Sequence, residues 1–527
     1  MNALSEKIYL TLEPPTEEDA RSDQRRLLDG LREDFGEVVL PLSLVRRLYP
    51  LCRKAEWRVT ATLVWTGKSW QVTDLEPGDT TAWHYGLAAD LGSTSVTMEL
   101  VDLRSGAVVA RESMYNRQTA LGSDVLTRIF YAKDQPEHLE ELQLAAVETL
   151  NELMGHLTEI SGVEVHRCPV LVLAGNTVMT HFLLGLDGFP LFLSPYAPVA
   201  AEPGFLTGAE LGLDMEGLVY LYPARANYMG GDIISGLVAT GIARSEGIRL
   251  FFDIGTNGEL VAGCKDFLLA GAGAAGPALE GGVIRTGMCA GPGAVEHVDI
   301  RGETVHLQVI GGEKVRGICG SGIVDLLAEL YLEGIIDFRG IFQPEASRRV
   351  TTVEGKLAYR YAEAEETQAE AAEAAEAEET AEGQPLYFYQ SDIEEFLATK
   401  AAAYTMVEYM LKAIGMTFDD VEQFYVAGAF GTYIRTASAV TIGLYPDLPE
   451  EKVACVGNSS LEGARMLLLD REKLAEAEGI VEKMDYIQYG AIPDFVDSMS
   501  AARAIPHLDT ARYPSVMKWK AQRQSRA

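Results

Sequence analysis

Two stretches of this chain share one design: Asp90-Leu91-Gly92-Ser93-Thr94-Ser95 and Asp253-Ile254-Gly255-Thr256-Asn257-Gly258-Glu259. Each follows a short apolar run, 86–89 in the first and 250–252 in the second, and passes from an Asp into a hydroxyl-bearing glycine turn. Glycine lets such a turn aim its backbone N–H groups at one point, where they can hold phosphate oxygens. The carboxylate that leads each turn can hold a metal ion or orient an attacking water. One Asp-x-Gly-[Ser/Thr] is a common strand turn. Two copies, each at the end of a buried-type strand, imply one nucleotide held between two similar lobes. Asp90 is the candidate for the metal and phosphate side, and Asp253 for water orientation or metal support. Magnesium suits so sparse a supply, because it keeps most of its waters and takes one or two carboxylates. Glu259 and Glu280 are further candidate acids.

Other glycine turns extend the set. Gly320-Ser321-Gly322 opens a predicted helix, where it either offers N–H groups to an anion or allows close helix packing. Gly428-Ala429-Phe430-Gly431 follows a predicted strand at 423–427. It either lets backbone lie flat against adenine or ribose, or merely bends the strand into a helix. The run 270–282 holds too much glycine for an element interior and reads as a loop beside the second clamp. His181 reads as a cleft residue or as a satisfied core histidine. The candidate nucleotide-binding residues are thus Gly92, Ser93, Thr94, Ser95, Gly255, Thr256, Asn257, Gly258, Glu280, Gly320, Ser321, Gly322, Gly428, Ala429, Phe430 and Gly431.

A chain of 527 residues is too long for one core. Residues 1–81 read as a small α+β domain with strands at 7–12, 38–42, 57–65 and 69–75 and a helix at 17–35. A first lobe is expected over 82–248, with a hairpin around the first clamp and a long amphipathic helix at 136–160. A second lobe, 249–510, restarts with the same strand-and-clamp unit. Residues 362–382 hold nine Glu and no basic residue, so 362–383 reads as a low-complexity insertion outside any core. Residues 511–527 read as a basic tail or an arm across a neighbour.

The net charge of −33, from 44 basic and 77 acidic residues, argues against nucleic acid or an anionic membrane as main partner. No transmembrane or signal segment stands out, so a cytoplasmic location is expected. The cysteines at 52, 168, 264, 289, 319 and 455 form none of the close pairs that build zinc or iron–sulfur centres. Cys289 and Cys319, both in glycine-rich turns, are the remaining candidates for a cluster shared across a dimer.

The paired clamps and the late glycine turn resemble the actin, sugar-kinase and heat-shock ATPase superfamily. More specific turns resemble the ATP-dependent reductive activators of corrinoid proteins: Gly175-Asn176-Thr177 with Met179 and His181, Gly230-Gly231-Asp232, Asp253 to Glu259, 275–281, Gly287-Met288, 317–322 and 428–431. The resemblance runs from about residue 5 to residue 500 and implies an α/β fold of duplicated actin-like (ribonuclease H-like) lobes. It further implies ATP and Mg2+, a corrinoid protein of a methyltransferase system as partner, and a homodimer. In that family ATP hydrolysis drives Co(II) back to methyl-accepting Co(I). The family's usual iron–sulfur domain has no counterpart in these motifs, so either a separate ferredoxin-like donor delivers the electron, or the cluster domain was removed, or the chain does something else with ATP. Two departures fall near the second clamp. Gly271-Ala272-Gly273 replaces a usual Cys-Ser-Thr, and Cys289 a usual Arg. A small-molecule kinase of the same superfamily and a non-catalytic nucleotide switch are the competing expectations.

Overall fold

The computed structural model describes residues 2–255, 257–273, 282–367, 383–489 and 495–525. Its compact units are Met1–Ala243 with Ser459–Met484, and Arg244–Asn458 with Asp485–Ala527.

The first unit begins with strands Ser5–Thr11 (β1), Val38–Val39 (β2), Arg58–Trp65 (β3) and Trp70–Pro77 (β4), in sheet order β1-β3-β4-β2. Helices Asp23–Phe35 and Leu42–Lys54 cover it. The second helix departs from the expected strand at 38–42, of which only Val38–Val39 is extended. Pro50 lies inside this helix and disguises it, since proline ordinarily breaks one. Its buried Leu44, Leu48 and Cys52 nevertheless recur every four residues, the spacing of one helix face.

The first lobe is a six-stranded sheet of Tyr85–Leu91 (β5), Ser95–Asp102 (β6), Val108–Tyr115 (β7), Val170–Gly175 (β8), Gly204–Thr207 (β9) and Leu218–Leu221 (β10). Their order is β7-β6-β5-β8-β10-β9, with β5 antiparallel to β6 and parallel to β8. Every residue of β8 is buried, as a strand covered on both faces requires. Leu87, Ala89 and Leu91 share a core with Leu142, Leu150 and Leu153 of helix Pro136–Ser161. On the alternate face, a Cβ on Gly86 would lie 2.9 Å from Leu468 of helix Ser459–Leu469. That helix packs so tightly on helix Gly231–Thr240 that a Cβ on Gly463 would meet the Ser235 carbonyl oxygen at 2.0 Å.

In the second unit the main strands are Ile248–Ile254 (β11), Gly258–Gly263 (β12) and Leu268–Gly273 (β13). A side sheet holds Ala294–Arg301 (β14), Thr304–Val309 (β15) and Gly317–Ile318 (β16), and another Val350–Val353 (β17), Lys356–Ala362 (β18) and Leu386–Tyr389 (β19). Val421–Ala427 (β20), Val453–Gly457 (β21) and Met484–Tyr486 (β22) complete the main sheet, ordered β21-β20-β11-β12-β13-β22. The duplication is explicit in the pairing. In each lobe an Asp-bearing strand opens a three-stranded antiparallel meander and has a parallel neighbour on its other side.

The expected basic tail is instead packed on its own chain. Tyr513 is buried, and helix Pro514–Gln524 brings Arg523 to Glu329 at 2.9 and 3.1 Å and to Glu333 at 2.8 Å. Glu329 lies on helix Gly320–Leu332 and Glu333 caps its C-terminus, so Arg523 neutralises carboxylates that the core would otherwise strand. Of the insertion, residues 368–382 lie outside the described residues. Among the described residues no helix is long and apolar enough to cross a membrane.

A buried histidine ties β1 to the start of the first lobe. His84 lies 3.1 Å from the Ser5 hydroxyl, and burial pulls its pKa down to about 4 from 6.5. A depressed histidine pKa stabilises the fold fully above pH 6.5, and that contribution is lost as pH falls from 6.5 toward 4. We therefore expect the first unit to lose about 2 kcal/mol between pH 7 and pH 5 through His84. Urea unfolding at the two pH values checks it, with the His84→Gln variant showing a correspondingly smaller difference.

Candidate functional site

In the first unit Asp90 is the penultimate residue of β5, beside the end of β8 where Leu91 pairs with Gly175. Its Oδ1 accepts a 2.7 Å hydrogen bond from the Ser460 hydroxyl at the start of helix Ser459–Leu469. The neighbouring Ser459 hydroxyl is buried without a hydrogen-bond partner among the described residues. The turn after Asp90 is tight, since a Cβ on Gly92 would sit 2.5 Å from the Ser95 carbonyl oxygen. Asn116, just beyond β7, ties its carbonyls back: Nδ2 donates to Gly92 O at 2.9 Å and the backbone N–H to Thr94 O at 2.8 Å. Among the described residues the backbone N–H groups of Ser93 and Thr94 have no acceptor. That is the donor chemistry a phosphate requires. Ser95 belongs to β6 itself.

Two further turns of the same unit meet beside β8. A Cβ on Gly230 would come within 2.6 Å of both Thr177 N and Asp232 Oδ1, and one on Gly231 within 2.9 Å of Tyr222 O. Glycine is therefore required for the start of helix Gly231–Thr240 to reach the Asn176-Thr177 turn. His181 is the satisfied core histidine of the two readings. It is fully buried, with Nδ1 2.7 Å from Thr177 O and Nε2 accepting the Val199 and Ala200 N–H groups at 3.0 and 3.4 Å. Burial lowers its pKa, which keeps Nε2 available as acceptor.

In the second unit Asp253 pairs with Glu259 across β11 and β12, and with Ala427 across β11 and β20. Directly opposite residues project from the same sheet face, so this pairing sets two carboxylates side by side, an arrangement that costs stability unless a cation offsets it. Gly428 follows at once, opening helix Gly428–Tyr433 with φ of +89°. A Cβ there would lie 2.7 Å from Ile254 O and 2.8 Å from Asp253 Oδ1. The late glycine turn and the second clamp, far apart in sequence, are thus in contact. Gly255 N–H donates to Asn257 O at 2.9 Å, and Gly258 begins β12. Thr256 and Glu280 lie outside the described residues, as do the side chains of Ala429 and Phe430. Gly431 packs under Val426, where a Cβ would lie 2.8 Å from Cγ1.

Gly320, Ser321 and Gly322 open a helix that is buried throughout. A Cβ on Gly322 would lie 2.3 Å from Val295 O, so of its two readings close packing is the one seen for this glycine. The Gly271-Ala272-Gly273 departure has a steric partner as well. Cβ atoms on Gly271 and Gly273 would lie 2.7 Å from the Tyr489 ring and 2.4 Å from the Met406 sulfur, so bulky neighbours fill the space. Cys319 is buried, whereas Cys289 and Cys455 are exposed.

No group of three or more His, Cys, Asp and Glu side chains gathers as a metal cage among the described residues. Magnesium does not need one, and the Asp253–Glu259 pair fits its chemistry. Sequence reasoning missed Asn116 and Ser460 as supports of the first clamp. Ser460 sits one residue beyond the glycine turn that ends β21, the available signal.

The twin sheets and their paired Asp turns define an α/β protein of actin-like ASKHA fold. Comparison with known proteins agrees. Residues 247–517 match the family described as the C-terminal domain of RACo, the ASKHA domain. Residues 85–245 match the RACo middle region, and 1–82 the RACo linker region. The chain belongs to this family of reductive activators of corrinoid proteins. It is 32% identical to the corrinoid activation enzyme RamQ of Eubacterium limosum, over 79% of this chain and 69% of that relative. It is 22% identical to a [Co(II) methylated amine-specific corrinoid protein] reductase of Methanosarcina barkeri, over 76% and 73%. A solved reductive activator for a corrinoid, iron–sulfur protein superposes with a TM-score of 0.86 at 37% identity, covering 98% of this chain and 81% of that one.

Proposed function

We propose that this protein is an ATPase that reductively activates a corrinoid protein, coupling ATP hydrolysis to the return of Co(II) to Co(I). The observation that carries the reading is the match along nearly the whole chain to activators of corrinoid proteins. The two Asp-led clamps within the matched regions give it a chemistry. Co(II) to Co(I) is uphill for common cellular reductants. A nucleotide shifts such an equilibrium only by binding two conformations with different affinity.

In this reading the N–H groups of Ser93 and Thr94 receive phosphate oxygens, and Asp90, oriented by Ser460, serves the metal and phosphate side. Asp253 orients the attacking water, backed by Gly428. Asp90, or Asp253 with Glu259, would hold Mg2+, whose charge would screen the phosphates. The electron comes from a separate ferredoxin-like donor, the protein acts as a homodimer in the cytoplasm, and the partner belongs to a methyltransferase system.

The test is ATP turnover with magnesium, with and without a Co(II) corrinoid protein. Stimulation by the corrinoid protein is expected. Stimulation by a small hydroxylated substrate, with phosphate transferred to it, would instead make the chain a kinase.

A further inference from the structure

Arg128 is among the largest fully buried side chains of the protein. It sits on helix Val125–Ala132, and burial pulls its pKa down to about 10, which leaves it charged at neutral pH. Asp124, the acid that acts on it, is engaged in capping the same helix: it accepts the Thr127 N–H and hydroxyl, both at 2.8 Å. The guanidinium's own contacts are neutral. Nε donates to Gly122 O at 2.9 Å, and Nη1 lies 3.3 Å from Gln118 Oε1 and 3.3 Å from the Met179 sulfur. Nη2 is buried with no hydrogen-bond partner among the described residues. Even Gly122 is shaped around this residue, since a Cβ there would strike Arg128 Cγ at 2.8 Å.

A buried cation held by neutral groups costs stability. Its contacts lead to the first clamp. Gln118 Oε1, which faces Arg128, also lies 3.3 Å from Asn116 Nδ2, and Asn116 Oδ1 accepts the Gln118 N–H at 3.0 Å. Asn116 is the residue that ties back the Gly92 and Thr94 carbonyls of the first clamp. Met179 contacts both, its sulfur 3.9 Å from Asn116 Nδ2. A buried positive charge therefore stands two side chains behind a turn whose Ser93 and Thr94 N–H groups have no acceptor among the described residues.

We infer that Arg128 is a positioning residue of the first clamp: through Gln118 and Asn116 it fixes the turn and supplies the buried positive charge that favours an anionic, phosphate-bearing ligand there. This rests on the nucleotide reading of that clamp. A neutral amide relay transmits orientation without cancelling the charge. A carboxylate in place of Gln118 would pair with the guanidinium and quench it.

The test compares ATP and adenosine binding by calorimetry in the full chain, in the presence of magnesium. Gln118→Glu keeps side-chain volume and neutralises Arg128, and should weaken ATP about tenfold while leaving adenosine affinity unchanged. Arg128→Met should do the same, and Arg128→Lys should retain most of the affinity for ATP. Unchanged ATP affinity in a folded Gln118→Glu variant overturns the inference. So does an equal loss for ATP and adenosine, which would reduce Arg128 to a packing role. Failure of the unmodified protein to bind ATP at all would remove the nucleotide reading itself, an outcome separate from either.

Discussion

Asp253→Asn should lower ATP turnover by about 100-fold or more while ATP still binds, the scale expected for loss of a positioned acid–base group. Asn keeps the size of the side chain, and the backbone pairings to Glu259 and Ala427 that hold β11 in register survive. What is lost is one negative charge at the end of a central strand, and with it the group that orients water or supports a metal. Folding should change little, because the substitution keeps the side-chain size and leaves the strand pairing in place. Single-turnover hydrolysis beside a nucleotide-binding titration separates the effects. A variant that hydrolyses ATP at an unaltered rate would remove Asp253 from the chemistry.

Gly428→Val should also lower turnover, without removing a carboxylate. The residue adopts φ of +89°, a region that costs an L-residue about 1–2 kcal/mol and a β-branched one more. Sterics add to this. The new Cβ would lie 2.8 Å from Asp253 Oδ1 and 2.7 Å from Ile254 O, and the second contact is backbone that cannot swing aside. Either β11, which carries Asp253, or helix Gly428–Tyr433 must move, and the close contact between the two is lost either way. Turnover should fall by at least tenfold, with a melting temperature lower by a few degrees. Gly428→Ala should lie between. A Gly428→Val protein with full activity would show that the position of Asp253 is not set by this glycine.

What could be read from the sequence was the local part of the design. The clamps announce themselves because strand, Asp and glycine turn are adjacent in the chain, and the long helix at 136–161 because its leucines recur at helical spacing. Supports that depend on distant pairing were not legible. Asn116 meets Gly92 across 24 residues, and Ser460 meets Asp90 across 370. Nothing local marks Asn116 as belonging to a clamp, and Ser460 is marked only by the glycine turn just before it. Helix Leu42–Lys54 was hidden by one proline despite its buried face. The C-terminal segment read as a tail because its charge was visible and its acidic partners, 190 and 194 residues away, were not. Gly322 shows the opposite ambiguity, since a glycine that suits an anion also suits a strand carbonyl at close range.

Whether nucleotide drives cobalt reduction can be seen in the cobalt spectrum of a Co(II) corrinoid protein followed under anaerobic conditions. The mixture holds this protein, magnesium and a low-potential donor, with or without ATP. Co(I) should appear only when the protein and ATP are both present, and Asp253→Asn should abolish it. Hydrolysis of ATP with cobalt remaining Co(II) across several donors and corrinoid proteins would contradict nucleotide-driven reduction.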